Sequence, residues 1–222
     1  MKDQMVESFN RIALLEDKWD HNQRYSKLLL KEIGSGSESV LDIGCGTGEF
    51  TQKVANLAKN VIGIDIAPQM IKEAQKRYPA KNISYILQDF DDMDGTLQFD
   101  CIVSIATFHH LSLDTALPKI RKMLKPEGTL VVLDLYERSG LADLLLDMIA
   151  VPANFLMRRI KGGFKKADPE EINAWNAHSH LDKYMSIRDL KQAYCKSLGN
   201  GVKIKRLVFW RYIAVYKKSK AE

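Results

Sequence analysis

The sequence predicts one α/β domain, in which a seven-stranded, mostly parallel β-sheet carries helices on both faces. Two features of residues 37–136 lead to this prediction. Short runs rich in β-branched and apolar residues alternate there with segments of helical spacing, the order that builds a parallel sheet. The strand-like runs are apolar throughout, as expected of strands that are covered on both faces. A chain of 222 residues is long enough to bury such a sheet between two helical layers.

Residues 1–36 are expected to form a helical leader before the sheet. Apolar residues such as Leu14 and Leu28 recur near helical spacing in this part of the chain. The sequence GSGSES at residues 34–39 ends the pattern, because glycine and serine favour turns. We therefore predict a helix over about residues 4–33.

Five strands are predicted in the core of the domain, residues 37–136, at VLDI, VIGID, ISYIL, FDCIVSIA and TLVVLDLY. Residues 137–185 break this rhythm with an apolar stretch, a basic cluster and a polar piece, and we predict a helical insertion that covers the domain as a lid. Residues 186–222 are predicted to form a helix, capped at its start by Ser186, and then an antiparallel pair of strands. This pair brings the sheet to seven strands.

The charge of the chain is mildly basic and local. The formal net charge is +5, and the stretch from Gly201 to Lys220 carries basic residues and no acid. Lys203 and Lys205 alternate there with apolar residues, as they do on the solvated face of a strand. We interpret the stretch as such a face, and nucleic acid is the less favoured partner.

The cysteines and the apolar content argue against disulfide-rich, zinc-binding, membrane-spanning and secreted proteins. Cys45, Cys101 and Cys195 are odd in number, far apart and without metal-ligand spacing, so we predict neither a disulfide framework nor a metal site. No apolar stretch has the length of a transmembrane helix, and the first residues do not resemble a secretory signal. The sequence therefore predicts a cytoplasmic protein without a membrane-spanning segment.

A glycine-rich loop follows the first predicted strand, in VLDIGCGTGEF at residues 40–50. Alternate glycines remove side chains from the turn, so that the backbone and the start of the next helix can approach a ligand. The spacing is G-x-G-x-G, whereas dinucleotide-binding loops read G-x-G-x-x-G, and Glu49 stands at the position of their last glycine. Asp42 and Glu49 also place negative charge beside the loop, which disfavours a pyrophosphate and favours a cationic ligand.

Two further acids follow the next two strands. Asp65 ends the second strand, where a carboxylate can accept hydrogen bonds from both hydroxyls of a ribose. Asp89, next to Phe90, follows the third strand and can accept a hydrogen bond from the amino group of an adenine. Each acid alone could be a helix cap or a turn residue. Their succession at strand ends favours a ligand that contains an adenosine.

Taken together, these motifs resemble those of class I S-adenosylmethionine-dependent methyltransferases. DIGCGTG, IDIAP, the QD pair, FDCIVSIATFHHL and LKPEGTLVVLDLY look like the successive motifs of that family over about residues 40–136. The end of the chain, LVFWRYIAVYKK, is similar to the terminal strands of its small-molecule branch. The resemblance implies a Rossmann-like fold, S-adenosyl-L-methionine as the cofactor, and a small molecule as the methyl acceptor.

The resemblance also implies roles for individual residues. Asp42 and the loop glycines would contact the methionine part of the cofactor, Asp65 would hold the ribose, and Asp89 would meet the adenine. The cofactor residues implied in this way are Asp42, Gly44, Cys45, Gly46, Asp65, Ile66, Met70, Asp89, Phe90, Ser104 and Ile105.

Methyl transfer from a sulfonium needs mainly alignment of the two reactants and exclusion of water, because the donor is already activated. A general base helps if the acceptor is a hydroxyl or a protonated amine, and His109 and His110 are the candidates nearest in sequence. We favour the interpretation that these histidines line the site or pack within it, because a loop histidine has that role more often than that of a base. His178, His180 and Tyr184 are interpreted as packing or surface residues rather than acceptor contacts.

Other functions stay open at this point. An RNA or protein methyltransferase is the main alternative, although ATFHHL stands where amino-directed nucleic-acid enzymes of this class usually have an Asn-Pro-Pro-Tyr type tetrapeptide. A protein that binds the cofactor without catalysis is another. The apolar stretch from Leu141 to Met157, followed by basic residues, could contact a membrane surface, but we favour a helix that covers the pocket.

Overall fold

The computed structural model describes residues 2–15, 22–138, 143, 148, 169–180 and 182–220. Seven strands form one sheet in the order β3-β2-β1-β4-β5-β7-β6. They are β1 (Ser37–Ile43), β2 (Ala58–Asp65), β3 (Ile83–Leu87), β4 (Phe99–Ile105), β5 (Leu124–Leu135), β6 (Lys203–Leu207) and β7 (Arg211–Lys217). Strands β1 to β5 are parallel, and β7 is antiparallel to both β5 and β6. The predicted seven-stranded, mostly parallel sheet is therefore confirmed.

Helices cover both faces of this sheet, and the described part of the chain contains seven of them. They are α1 (Lys2–Ile12), α2 (Ser26–Ile33), α3 (Glu49–Ala55), α4 (Pro68–Arg77), α5 (Leu113–Met123), α6 (Pro169–Ser179) and α7 (Ile187–Leu198). Ser186 caps α7 as predicted, since its side chain accepts a hydrogen bond from the backbone N–H of Asp189.

The core forms two apolar layers because side chains alternate across the strands. Leu41 is in register with Ile102, which is in register with Leu130, and all three pack in the layer that contains α5 and α7. Their neighbours Val40 and Val131 point the other way, into the layer that contains α2 and α3. Burial on both faces accounts for the apolar runs in the sequence.

The leader differs from the prediction of one helix over about residues 4–33. Helix α1 ends at Ile12, residues 13–15 form a turn, and a short 3-10 turn at Gln23–Tyr25 precedes α2. The two helices serve different surfaces: α1 packs against α4 and α6, whereas α2 packs against β5 and α3. One straight helix could not reach both, so the apolar spacing predicted the helices but not the break between them.

Most of the predicted insertion, residues 137–185, lies outside the described residues, including Met157 and the basic residues Arg158 and Arg159. None of the helices in the described part has the length and apolar content needed to span a bilayer. At the other end of the chain, Lys203 and Lys205 are exposed on β6, as predicted for a solvated strand face.

Candidate functional site

A cavity of about 220 Å³ opens at the carboxyl ends of β1 and β4. Five of the residues predicted at the cofactor line it: Asp42, Gly44, Cys45, Gly46 and Ile105. The other lining residues come from the leader and from the start of α3: Asn22, Gln23, Ser26, Thr47, Glu49, Phe50 and Lys53. The leader residues were not among the predicted site residues, because they precede Gly44 by about twenty positions.

The three glycines of the loop all adopt left-handed backbone conformations, but they do so for different reasons. A Cβ at Gly44 would lie 2.0 Å from Oγ1 of Thr107, and a Cβ at Gly48 would lie 2.7 Å from the hydroxyl of Tyr85. At Gly46 the nearest described atom is Sδ of Met70, at 4.0 Å. Gly44 and Gly48 therefore allow close packing within the protein, whereas Gly46 leaves open space toward a ligand.

Asp65 ties the glycine loop to the end of β2. Its Oδ2 accepts a hydrogen bond from the backbone N–H of Gly46 at 3.0 Å, and its Oδ1 accepts one from Ala67 at 2.9 Å. Burial raises the pKa of this carboxyl group, although the backbone N–H groups counteract the effect. A carboxylate offers about four acceptor positions, so Asp65 retains capacity for a ligand hydroxyl beside these backbone contacts.

Asp42 is buried beneath the loop, at the end of β1. Its Oδ2 accepts a hydrogen bond from the hydroxyl of Thr51 at 2.7 Å. Burial, with a contribution from the charge of Asp65, raises the pKa of Asp42 to about 7. A cationic ligand placed near this carboxyl group would favour its ionised form.

A second group of polar side chains lies beyond Thr107, where a 3-10 turn at Phe108–His110 follows β4. The backbone N–H of His109 donates to Oδ2 of Asp134 at 2.7 Å, and Nδ1 of His109 lies 2.6 Å from Oδ1 of the same carboxylate. Burial disfavours the imidazolium, but the carboxylate of Asp134 outweighs it and raises the pKa of His109 to about 9. Burial and the nearby charge of His109 lower the pKa of His110.

Asp182 stands at the centre of this group. Its Oδ1 lies 3.7 Å from Nε2 of His109, 3.7 Å from Nε2 of His110 and 3.5 Å from Nε2 of His178. The hydroxyl of Tyr184 donates a hydrogen bond to the other oxygen, Oδ2. We call these residues, His109, His110, His178, Asp182 and Tyr184, the histidine cluster.

The sequence analysis found only part of the histidine cluster. It named His109 and His110 as candidates, and it interpreted His178 and Tyr184 as packing or surface residues. Asp134 could have been found, because it ends the strand next to the one that precedes His109. Asp182 had no signal beyond its position four residues after His178.

Helix α1 covers the histidine cluster through Ser8 and Phe9. The ring of Phe9 lies 4.5 Å from that of His178 and 5.5 Å from that of His110, between centroids, and the hydroxyl of Ser8 lies 3.2 Å from Nδ1 of His178. The side chains of His109 and Asp182 are only 5% and 6% exposed. We call α1 and α6 together the cap.

The comparisons with known proteins agree on the class. A sequence profile described as "Methyltransferase domain" matches residues 40–128. An uncharacterised methyltransferase of Schizosaccharomyces pombe is 30% identical over 191 residues, which cover 75% of this chain and 67% of that protein. The chain belongs to the class I S-adenosylmethionine-dependent methyltransferases. As an enzyme of this class, it uses S-adenosylmethionine as its cofactor.

Further relatives extend this likeness over nearly the whole methyltransferase. An uncharacterised methyltransferase of Mycobacterium tuberculosis is 26% identical over 205 residues, covering 91% of this chain and 98% of that protein. The N-methyltransferase NodS of Bradyrhizobium japonicum, solved with S-adenosyl-L-homocysteine, superposes with a TM-score of 0.66 at 18% identity. That superposition covers 97% of this chain and 99% of NodS, so the two proteins share the fold.

The residues that line the cavity of this methyltransferase fit an S-adenosyl ligand in charge and in shape. The carboxyl group of Asp42 suits its cationic methionine part, whereas Glu49 already pairs with Lys53 at 2.8 Å. The open side of Gly46 leaves room for backbone contact with the ligand.

The remaining cofactor residues implied by the resemblance do not line this cavity. Asp89 accepts a hydrogen bond from the ammonium of Lys2 at 2.7 Å, and Phe90 is buried. Ser104 is fully buried and donates a hydrogen bond to the carbonyl of Ile43 at 2.7 Å. The other three such residues of the methyltransferase are Asp65, Ile66 and Met70.

Proposed function

We propose that this methyltransferase transfers the methyl group to a small molecule held beneath the cap. The observation that carries this proposal is the enclosure of the histidine cluster: polar groups that could contact an acceptor are covered by α1 and α6. An RNA strand or a protein side chain on a folded surface would need an open approach to such groups. A small molecule fits a closed site, where polar contacts are stronger because water is excluded.

In this proposal the cofactor residues act by binding and orientation. S-adenosylmethionine supplies an activated methyl group on a sulfonium. Asp65 would accept hydrogen bonds from the ribose, and Asp42 would face the cationic methionine part. Asp89 and Phe90 would meet the adenine, which requires that Lys2 yield part of its ion pair with Asp89. Gly44, Gly46, Ser104 and Ile105 would line the methionine part, and Cys45, Ile66 and Met70 would complete the surroundings.

Alignment is the main contribution that we assign to the protein. A general base works best when its pKa lies near the working pH. The pKa of His109 is raised and that of His110 is lowered, so neither imidazole is tuned for proton abstraction at neutral pH. We therefore propose contact with the acceptor as the role of both histidines. Substitution of each by alanine tests the base hypothesis, which fails if turnover at saturating donor is unchanged.

The domain organisation is part of the same proposal. Residues 1–222 would act as one methyltransferase domain, with residues 37–136 as the cofactor-binding core. The leader, residues 1–36, and the insertion, residues 137–185, would together cover the acceptor. Residues 186–222 would complete the sheet.

A relative in structure supports a small acceptor. The phosphoethanolamine N-methyltransferase 2 of Haemonchus contortus, with a TM-score of 0.59 and 16% identity, was solved with phosphomonomethylethanolamine and S-adenosylhomocysteine. The match covers 83% of this chain and 38% of that protein. The same fold therefore occurs in a protein that was solved with a small molecule and S-adenosylhomocysteine.

Calorimetry and a labelling assay test the proposal in two steps. We expect S-adenosylmethionine and S-adenosylhomocysteine to bind and NADH not to bind, and we expect Asp65→Ala to weaken binding at least tenfold, since a buried hydrogen-bonded carboxylate is lost. Labelled donor is then incubated with a metabolite extract, with total RNA and with a protein extract. We expect label in the metabolite fraction. Label in RNA or protein alone would overturn the small-molecule proposal.

A further inference from the structure

We propose that His109, His110 and Asp182 form a binding site for a divalent first-row transition-metal ion, beside which Nε2 of His178 lies 3.5 Å from Oδ1 of Asp182. The sequence predicted no metal site, because its three cysteines are far apart and lack metal-ligand spacing. The ligands inferred here come instead from two separated segments of the chain, the turn after β4 and the segment after α6.

The candidate ligand atoms lie close enough together to surround one metal ion. One nitrogen of each of the two histidines and one oxygen of Asp182 lie within 4.8 Å of one another. Each Nε2 lies 3.7 Å from Oδ1 of Asp182. Metal–ligand bonds of about 2.0–2.2 Å in tetrahedral geometry put neighbouring ligand atoms roughly 3.3–3.5 Å apart. Coordination would shorten the two nitrogen–oxygen distances by a few tenths of an ångström, and it would bring the two histidine nitrogens, now within 4.8 Å of each other, to the same spacing.

Two atoms of the cluster are buried without a hydrogen-bond partner among the described residues. They are Nε2 of His110 and Oδ1 of Asp182. Such atoms are rare in folded proteins, because an unpaired buried polar atom loses its hydrogen bonds to water and gains none in return. A cation placed between a nitrogen lone pair and a carboxylate oxygen would satisfy both at once.

The neighbouring residues orient these ligand atoms. Asp134 binds Nδ1 of His109, which leaves Nε2 directed at the cluster. Tyr184 donates to Oδ2 of Asp182 and leaves Oδ1 directed at the same point. Supporting hydrogen bonds of this kind, from a carboxylate to a histidine and from a hydroxyl to a carboxylate, accompany metal ligands in proteins.

The donor types select the class of metal. Imidazole nitrogens with one carboxylate suit Zn²⁺, Fe²⁺, Co²⁺ and related ions. Mg²⁺ and Ca²⁺ prefer oxygen ligands throughout. If the proposed function holds, an open position on the metal would bind an oxygen or sulfur atom of the acceptor and orient it in the closed site. Metal binding itself does not depend on that function.

Metal content and a Co²⁺ titration test the site. Protein without a polyhistidine tag is stripped with chelator and titrated with Co²⁺, and zinc content is measured after dialysis against ZnCl₂. We expect one metal ion to bind per protein chain. Bound Co²⁺ should absorb visible light with the intensity typical of a site with nitrogen and oxygen ligands. We expect His110→Ala and Asp182→Asn to lose this binding.

Two further variants keep the result interpretable. His180→Ala is the matched control, because His180 is exposed and lies outside the cluster, and it should bind the metal as the wild type does. Tyr184→Phe leaves every ligand in place and should weaken binding by about 10- to 100-fold. Circular dichroism and thermal unfolding report whether each variant is folded.

Wild-type protein that binds far less than one equivalent of Co²⁺ and Zn²⁺ would overturn the metal site. Binding that survives in His110→Ala and Asp182→Asn, or that is unchanged in Tyr184→Phe, would overturn it as well. These readouts need no acceptor and no methyl donor. Failure of the metal site would leave donor binding by calorimetry intact, and failure of the proposed function would leave Co²⁺ binding intact.

Discussion

Asp42 makes a specific contribution to the pH dependence of stability. Burial raises its pKa to about 7 in the folded protein, against about 3.9 for an aspartate in an unfolded chain. The folded state therefore binds the proton more tightly, and this contribution to the free energy of unfolding falls as pH rises from about 4 to 7. Asp42→Asn removes it. Urea unfolding at pH 5 and pH 8, without ligand, should show a change that is roughly 2 kcal/mol larger in the wild type than in the variant. Equal changes in both proteins would contradict the raised pKa.

A second test compares Gly46 with Gly199, and it separates the effect of backbone strain on stability from the effect of ligand contact on affinity. Gly46 and Gly199 both have left-handed φ values, of 52° and 79°, and neither has a described atom closer than 4 Å to an added Cβ. Gly46→Ala and Gly199→Ala should each destabilise the protein by about 1–2 kcal/mol, from backbone strain alone. Only Gly46→Ala should also weaken S-adenosylhomocysteine binding in calorimetry. Equal affinity in both variants would mean that the ligand does not approach Gly46.

Gly44 should respond quite differently to the same substitution. Its added Cβ would overlap Thr107, so Gly44→Ala should destabilise the protein more than Gly46→Ala does, by several kcal/mol in urea unfolding. A loss no larger than that of Gly46→Ala would show that Thr107 moves away at little cost.

At the scale of single residues, the sequence predicted which residues line the cavity better than it predicted which side chains touch one another. The motif at residues 40–50 indicated a ligand loop, yet nothing in it shows that Gly44 faces Thr107, because that approach depends on how β1 pairs with β4. Asp182 was missed for the same reason. Its neighbours His109 and His110 are more than seventy positions away in the chain.

Among the elements, the start of α7 offers a direct test of capping. Ser186 accepts a hydrogen bond from the backbone N–H of Asp189, whereas Ser112, at the N-cap of α5, makes no such bond among the described residues. Ser186→Ala should lower the free energy of unfolding by about 1 kcal/mol. Ser112→Ala is the matched control and should have a smaller effect in the same denaturant titration. Equal losses would contradict the assignment of the cap.

Elements with a strong pattern were predicted well. Buried parallel strands read as apolar runs, and the end of α7 is marked by Gly199 in a left-handed conformation. The leader was predicted less well, since periodicity over residues 4–33 reports that a helix buries one side but not which surface it meets. The break before α2 follows from tertiary packing against α4 and β5.

For the whole molecule, we expect the cofactor to couple the leader to the sheet. Asn22, Gln23 and Ser26 line the cavity together with Asp42, and the side-chain amide of Gln23 donates to Glu49 at 2.7 Å. Saturating S-adenosylhomocysteine should therefore slow amide hydrogen exchange in residues 22–30. The control is α7, which should change much less. Equal protection of both segments would indicate a global gain in stability and no specific contact with the leader.

The overall architecture followed from the sequence as far as the class of fold and the number of strands. The order of the strands at the β5 edge did not, because two antiparallel strands can add to a sheet in either order. The histidine cluster is likewise a property of the whole fold, since it combines the end of β4, the segment after α6 and the covering helix α1.

The order of strands at this edge has a consequence for the newly made chain. Strand β7 is synthesised after the other six described strands, yet it lies between β5 and β6 and pairs with β5 from Thr129 to Leu135. Until β7 has left the ribosome, the backbone N–H and C=O groups along that side of β5 have no strand to pair with. Strand β6 cannot join the sheet either, because among the described strands it pairs only with β7. A stop codon ahead of Arg211 would thus leave a long apolar edge open to intermolecular pairing, and such a fragment should collect in inclusion bodies.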